Sequence, residues 1–365
     1  LKQQMAMLTL LNKTGSRAPS IAIAGIGSFM AAIGGLYAKG ATANAGMRDS
    51  TISLGQRTGN GDFRAIRKEA QTMGVEKQLG YKGADMLQFQ EDALSNIGFT
   101  NKEDLASNTR ALAEGSRAVP VDSETLSGFM NDQMRRGAVS GKDQIKAIQE
   151  GFLGAIQKSG MAGREKEQLN ALKTLSDQSF SGRNGSNEEL KQQMAMLTLL
   201  NKTGSRAVQG EQGAELMTSL SAGFQGSVWN NKASLLLGKG SQYQGLGGMY
   251  DLAGKQEEGA TPENLQKIIG SVQKSVPNDE KGQKYVLKSA MHGLFGTNVT
   301  NDQIDGIMEA YGNGNLNEEN INKIMNESES TGKDKYKKNA DDYANSKEGM
   351  ANRSEAVTEK QASSI

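Results

Sequence analysis

The chain has no cysteine, one histidine, one tryptophan and four prolines in 365 residues. Without cysteine there are no disulfides, no thiolate metal ligands and no thiol nucleophile, and either redox compartment is open to it. A lone His292 excludes any site that needs two imidazoles. An excess of one charge is missing too: 42 Lys and Arg stand against 41 Asp and Glu, a formal +1. No global field therefore draws in DNA or an anionic membrane, and sequence-specific nucleic-acid binding is not expected. Aromatics are only 5% of the chain while methionines number 17, which predicts cores filled by adaptable, unbranched side chains. The scarcity of proline beside 45 glycines suits helices joined by flexible turns, since glycine punctuates helices and proline would break them.

What is present includes a repeat. LKQQMAMLTLLNKTGSRA occupies residues 1–18 and again 190–207. A structural repeat under ordinary drift keeps its apolar positions and loses surface ones such as Gln192, Gln193 and Lys202. Nothing has drifted, so 1–18 reads as a very recent duplication or an artefact, the latter favoured. The start at Leu1 fits a chain excerpted from something longer. Read as a helix, the motif places Leu190, Met194, Met196, Leu197 and Leu200 on one face. Ser186 and Glu189 offer a capping box, and Gly204 an end. Gly115-Ser116-Arg117-Ala118 repeats the closing phrase and is read as another module boundary.

Between Arg17 and Lys39 lie twenty-one uncharged residues, enough as a helix to cross about 30 Å of hydrocarbon. Ile23, Gly27, Met30, Ala31 and Gly35 form its candidate membrane or helix-packing face, with Gly27, Ala31 and Gly35 in small-xxx-small spacing. A buried helix, a membrane-active segment and a Rossmann turn all fit residues 19–39. In the last of these, Met30 stands where a third glycine is expected.

Residues 40–61, rich in Gly, Ser, Thr and Asn, are expected to be a linker. A helical domain is expected over 62–326: an all-α, multi-helix bundle of glycine-separated helices. Helical spacing predicts segments at 63–72, 84–97, 102–113, 123–135, 142–158, 164–180 and 214–224. Met86, Phe89, Ala93 and Ile97 make one stripe; Ile145, Ile148, Phe152 and Ile156 make another. Thr100 with Glu103 suggests a further capping box, and Thr261-Pro262 opens a helix whose apolar face is Leu265, Ile268, Ile269, Val272 and Val276. Ile304, Ile307 and Met308, followed by Ile321, Ile324 and Met325, predict an antiparallel hairpin. Residues 327–365 form a polar tail, extended helical or disordered, in which Tyr336, Tyr343, Met350 and Val357 recur every seventh residue. They are the candidate seam of a homo-oligomeric coiled coil.

Catalytic, metal and cofactor signatures are weak. Gly238-Lys239-Gly240-Ser241 lacks the leading glycine of a phosphate loop. Ser271 and Lys274 have Ser-x-x-Lys spacing without a companion motif. His292 is read as a helix-end residue. The Asn-rich turn at 311–317 lacks the carboxylates of a calcium loop. No catalytic residue, metal site or cofactor is expected.

Four stretches carry a family resemblance. GVEKQLGYKGADMLQFQEDALSNIGFTNKEDLASNTRALAEGSRAVPVDSETLSGFM (74–130), GREKEQLNALKTL (163–175), TGSRAVQGEQGAEL (203–216) and SQYQGLGG (241–248) resemble phage tail tape-measure proteins over roughly 53–333. The resemblance implies a non-enzymatic virion protein, made in the host cytoplasm, that sets tail length during assembly and leaves ahead of the genome. It also implies contacts with itself and other tail proteins, and 19–39 as a candidate for contact with the host membrane. The family is generally much longer, and the peptidoglycan-cleaving domain of some relatives maps onto no residues here. A virion-associated cell-wall hydrolase and a membrane-active pore-forming or transfer protein are the alternatives.

Overall fold

The computed structural model describes residues 38, 41–97, 102–226, 261–295, 299–312 and 318–363. Among them every regular element is a helix and no strand occurs. In chain order these are α1 (Arg48–Thr58), α2 (Phe63–Gly74), α3 (Gly83–Ile97), α4 (Lys102–Ala118), α5 (Ser123–Arg135), α6 (Gly141–Ser159) and α7 (Glu165–Ser179). Then follow α8 (Asn187–Lys202), α9 (Gly210–Gly226), α10 (Pro262–Ser275), α11 (Glu280–Phe295), α12 (Asn301–Tyr311), α13 (Glu318–Asn345) and α14 (Lys347–Ala362).

Local chemistry sets most of these boundaries. Orphan N–H groups at a helix start need acceptors. Asp62, Asp122 and Thr261 supply them to α2, α5 and α10. Ser186 and Glu189 form the expected reciprocal box on α8, with Glu189 N–H donating to Ser186 Oγ (3.2 Å) and Ser186 N–H to Glu189 Oε2 (3.0 Å). Thr300 and Gln303 repeat it on α12. At the other end, Gly160 takes φ +71° after α6 and Gly204 φ +69° after α8, a conformation that costs a residue with a Cβ about 1 kcal/mol or more.

Two helices form the centre. Residues 148–156 of α6 and 193–201 of α8 are buried without a break, as befits helices enclosed on all sides. α6 is surrounded by α4, α8 and α13; α8 also meets α7, α9 and α12. The stripes at Met86, Phe89 and Ala93, at Ile145, Ile148, Phe152 and Ile156, and at Leu265, Ile268, Ile269 and Val272 are all buried. One buried amide is tied at both ends: Asn201 Nδ2 donates to Gln168 Oε1 (2.7 Å) while its Oδ1 accepts from Gly210 N–H (2.8 Å).

The structure departs from the sequence pattern at five places. The expected linker at 40–61 is largely helical, and Met47, Thr51 and Leu54 are buried. Gly55 lets the Phe63 ring and the Asn60 carbonyl lie where a Cβ would be, within 2.5 and 2.8 Å. Gly115 does not stop α4: Gly115-Ser116-Arg117-Ala118 forms its last turn, and Gly115 makes room there for the buried Gln149 side chain. Gln193, expected at the surface, is 9% exposed. α12 packs on α8, α10 and α11 rather than pairing with α13, and a groove of about 370 Å³ lined by Glu309, Ala310, Lys323 and Ile324 lies between them.

The largest departure is the polar tail. α13 crosses the expected boundary at 326–327 and enters the bundle, running antiparallel to α6: Ser328 lies against Gly154, Gly332 against Glu150 and Tyr336 against Gln149. Its buried residues are Ile321, Ile324, Ser328, Gly332, Tyr336, Ala340 and Ala344. From Ile324 onward the spacing is four, which turns the stripe by about 40° at each step. Successive stretches of α13 therefore face α8, α6, α4 and α14. At Ser346 the chain turns sharply and that side chain caps α14 by accepting from Gly349 N–H (2.9 Å). α14 returns to α2 and α3: Gln71 Nε2 donates to Ser363 Oγ (2.7 Å) and Gly83 N–H to Glu359 Oε1 (2.8 Å).

Candidate functional site

The candidate face Ile23, Gly27, Met30, Ala31 and Gly35 lies outside the described residues, as do the copy at 1–18, the cap at Thr100 and the Gly238-Lys239-Gly240-Ser241 stretch. Among the described residues no helix is long and apolar enough to cross a membrane, and no cluster of three His, Cys, Asp or Glu is arranged to hold a metal. The four seam residues are not brought together. Tyr336 is 1% exposed and belongs to the core against α6, Tyr343 is half-buried, and Met350 and Val357 are exposed on α14 beyond the break at Ser346. The heptad fails because α13 buries every fourth residue and then ends. Lys274 is exposed on α10, Ser271 is half-buried there, and His292 is exposed in the last turn of α11.

Among the described residues, α3 and α5 enclose a cleft of about 900 Å³, within the size range of small-ligand sites. One wall is the stripe Asp85, Gln88, Phe89 and Asp92 of α3; the other is Glu124, Ser127, Gly128 and Asn131 of α5. Both follow i, i+3, i+4, i+7 spacing, which puts such residues on one helix face. The 80–82 turn, Arg117 of α4, and Asn352 and Glu355 of α14 complete the rim.

Arg117 holds the closed end. Its Cζ lies 3.8 Å from the Tyr81 ring centroid and 4.5 Å from that of Tyr343, a guanidinium between two aromatic faces. Its Nε donates to Leu79 O (3.1 Å) and its Nη2 to Gly80 O (3.3 Å). Tyr343 OH accepts from Asn352 Nδ2 (2.9 Å), and the Tyr81 and Phe89 rings meet edge to face at 5.3 Å. Burial pushes the Tyr81 phenol up to about 12 against the opposing pull of Arg117, so the ring stays neutral.

The cleft is acidic. Asp85, Asp92, Glu124 and Glu355 outnumber Lys82 and Arg117. Lys82 pairs with Glu355 at 3.0 Å, and Asp85 accepts from Lys82 N–H (3.2 Å). Burial raises the Asp92 carboxyl, Gln88 (2.8 Å) opposes this by donating to it, and Glu91 and Glu124 add like charge. Asn131 is 3% exposed, and its Oδ1 has no hydrogen-bond partner among the described residues. Ser127 Oγ donates into its own helix at Glu124 O (3.3 Å). No imidazole lines these walls.

Of the residues that line the cleft, the sequence singles out Phe89, as part of an apolar stripe, and Arg117, as part of a boundary phrase, but none as a site residue. The shared spacing at 85, 88, 92 and at 124, 127, 131 was the available signal, and it gains meaning only once α3 and α5 are known to be neighbours. Comparison with protein-family models, with curated proteins and with solved structures finds no match.

Proposed function

We propose that this chain is the compact helical part of a phage tail tape-measure protein, acting in the virion by helix packing against copies of itself and other tail proteins. In this reading it contributes to tail assembly, length determination and genome ejection, and catalyses no reaction. The observation that supports it best is the path of α13. A helix of 28 residues spans about 42 Å at 1.5 Å per residue, and this one ties α8, α6, α4 and α14 into one body whose last helix closes on α2 and α3. Such a closed, strap-bound bundle fits a mechanical part that must keep its shape while a longer helical ruler is laid down in the tube.

Antibodies raised against the purified chain, applied to virions that encode it, test the reading. Labelling confined to tails of disrupted particles is expected; absence from particles, or labelling of capsids alone, overturns it. Release of muropeptides when the purified chain is incubated with peptidoglycan would overturn the non-enzymatic part and favour the cell-wall hydrolase.

A further inference from the structure

We propose that Asn60 is a site of spontaneous covalent modification, at which attack by the Gly61 amide converts the asparagine to aspartate and isoaspartate while the chain stays folded. This goes beyond the tail reading and does not depend on it.

Asn-Gly is the dipeptide in which this chemistry is least hindered, because glycine puts no Cβ beside the attacking nitrogen. Among the described residues it occurs at Asn60-Gly61 and at Asn184-Gly185, both in connections between helices. Exposure alone favours the second, since Asn184 is exposed and Asn60 half-buried. The hydrogen bonds reverse that order.

The nucleophile is the glycine backbone nitrogen after it has lost its proton, so an N–H that is already donating is held back from reaction. Gly185 N–H donates to Arg136 O at 2.8 Å. The Phe180 ring covers that glycine, 2.7 Å from where a Cβ would lie, and Asn184 O accepts from Arg183 Nη1 (3.3 Å). Gly61 is free of such restraint: it is exposed, its N–H makes no hydrogen bond among the described residues, and a Cβ built there meets nothing within 4 Å.

The electrophile is prepared as well. Asn60 Oδ1 accepts from Asp62 N–H (3.0 Å), which folds the carboxamide back over the intervening Gly61 amide and polarises its carbonyl toward the charge that attack develops on the oxygen. In the step itself, Gly61 N bonds to Asn60 Cγ, the Cγ–Nδ2 bond breaks, and Nδ2 leaves as ammonia with the proton that Gly61 N gave up to water. A five-membered imide remains, and its formation within one dipeptide needs no outside group. Water then opens the ring at either carbonyl, giving aspartate, or isoaspartate with the backbone routed through the former side chain. Nothing is oxidised or reduced. Isoaspartate lengthens the link between α1 and α2 by one methylene, at the turn where the Asn60 carbonyl and the Phe63 ring close on Gly55.

Incubation of the full chain in mildly alkaline buffer, followed by peptide mapping with mass spectrometry, tests the proposal. Each peptide reports its own loss of an amide, so Asn313-Gly314, outside the described residues, is scored separately. In the folded chain Asn60 should convert about tenfold faster than Asn184, the rate equivalent of about 1.4 kcal/mol. In urea the ratio should fall toward one, because the held Gly185 N–H is released. Gly61→Ala, whose Cβ meets open space, should slow conversion at Asn60 several-fold and leave Asn184 unchanged. An isoaspartate-specific carboxyl methyltransferase supplied with labelled S-adenosylmethionine should label the Asn60 peptide. Equal rates in the folded chain, or faster conversion at Asn184, overturn the assignment. So does a ratio that persists in urea, which would trace the difference to neighbouring residues and not to the fold. Conversion at Asn60 without methyl labelling would mean direct hydrolysis of the amide and would overturn attack by Gly61.

Discussion

Glycine-to-alanine substitutions within this bundle should have opposite signs depending on what the missing Cβ would touch. At Gly154 an added Cβ would lie 1.8 Å from Ser328 O, and at Gly332 it would lie 1.7 Å from Glu150 O. Both obstacles are helix backbone, which cannot rotate aside as a side chain can, so α6 and α13 would have to part by more than about 1 Å and lose close contact along their length. Alanine gains about 1 kcal/mol of helix propensity at either site. Overpacking of this kind costs about 1–3 kcal/mol or more, and with rigid obstacles the upper end applies, for a net loss of about 2 kcal/mol. Gly128 in α5 is the control: it is helical and its Cβ would meet open space, so alanine there should stabilise by about 0.5–1 kcal/mol. Urea unfolding followed by helical circular dichroism reads both as shifts in midpoint at constant slope. The Gly154→Ala and Gly332→Ala double variant should cost less than the sum of its parts, since one separation relieves both clashes. If Gly154→Ala moves the midpoint in the same direction as Gly128→Ala, the two helices do not meet at their backbones and the packing described for α13 is refuted.

Tyr336, 1% exposed, should lose about 3–5 kcal/mol on Tyr336→Ala. Its bond to Gln149 Oε1 is long at 3.4 Å, so Tyr336→Phe should cost at most about 1 kcal/mol; equal losses in urea melts would contradict a packing role. Ser186→Ala removes the reciprocal cap of α8 and should cost about 1 kcal/mol by the same measurement, whereas no effect would mean the box is not formed. Asp122 is held down to about 2 by the Thr125 hydroxyl and N–H, with Lys166 at 3.0 Å adding to it. A depressed carboxyl contributes stability that is fully present above its ordinary value of 3.8 and lost as pH falls toward about 2. Asp122→Asn should therefore flatten the stability profile in that window and leave its shape near neutrality unchanged; an undiminished acid slope would assign it to other groups.

How much of this was legible in the sequence depended on the size of the side chains that carry each contact. Where large apolar residues recur at helical spacing, as in α3, α6, α8 and α10, the buried faces follow directly, and caps such as Ser186 with Glu189 and Thr261 with Pro262 fix where helices begin. α1 and α13 were opaque because, beside a few large residues such as Leu54 and Tyr336, many of their contacts are made by glycine, serine, alanine and threonine, which allow backbones to approach without adding hydrophobicity. Gly55, Gly115, Gly154 and Gly332 each admit a neighbour to the position of a missing Cβ, while composition registers only turn-prone residues. The cleft was hidden for a different reason. Its carboxylates lie on three helices, α3, α5 and α14, whose adjacency is a tertiary fact, and each stripe alone is indistinguishable from a solvated face.

The path of α13 also constrains how copies of this chain can meet. Its polar sequence has little tendency to be helical alone, and its docking rests on Tyr336, a line of small residues and the ion pairs Lys158–Glu327 and Lys191–Glu329, of which exposed pairs contribute little. While it is docked, Tyr336 faces α6 and only Met350 and Val357 of the heptad set face solvent, a patch far smaller than the roughly 1,200 Å² of a stable interface. Association through Tyr336 and Tyr343 therefore requires α13 to leave α6 first, so any substitution that loosens the docking should also promote self-association. Gly154→Ala should form oligomers in sedimentation velocity at lower concentration than the parent chain, and Tyr336→Ala combined with it should abolish the gain. An oligomer of equal strength in all three would have to be built on another face of the molecule, with the polar tail serving only as an internal strap.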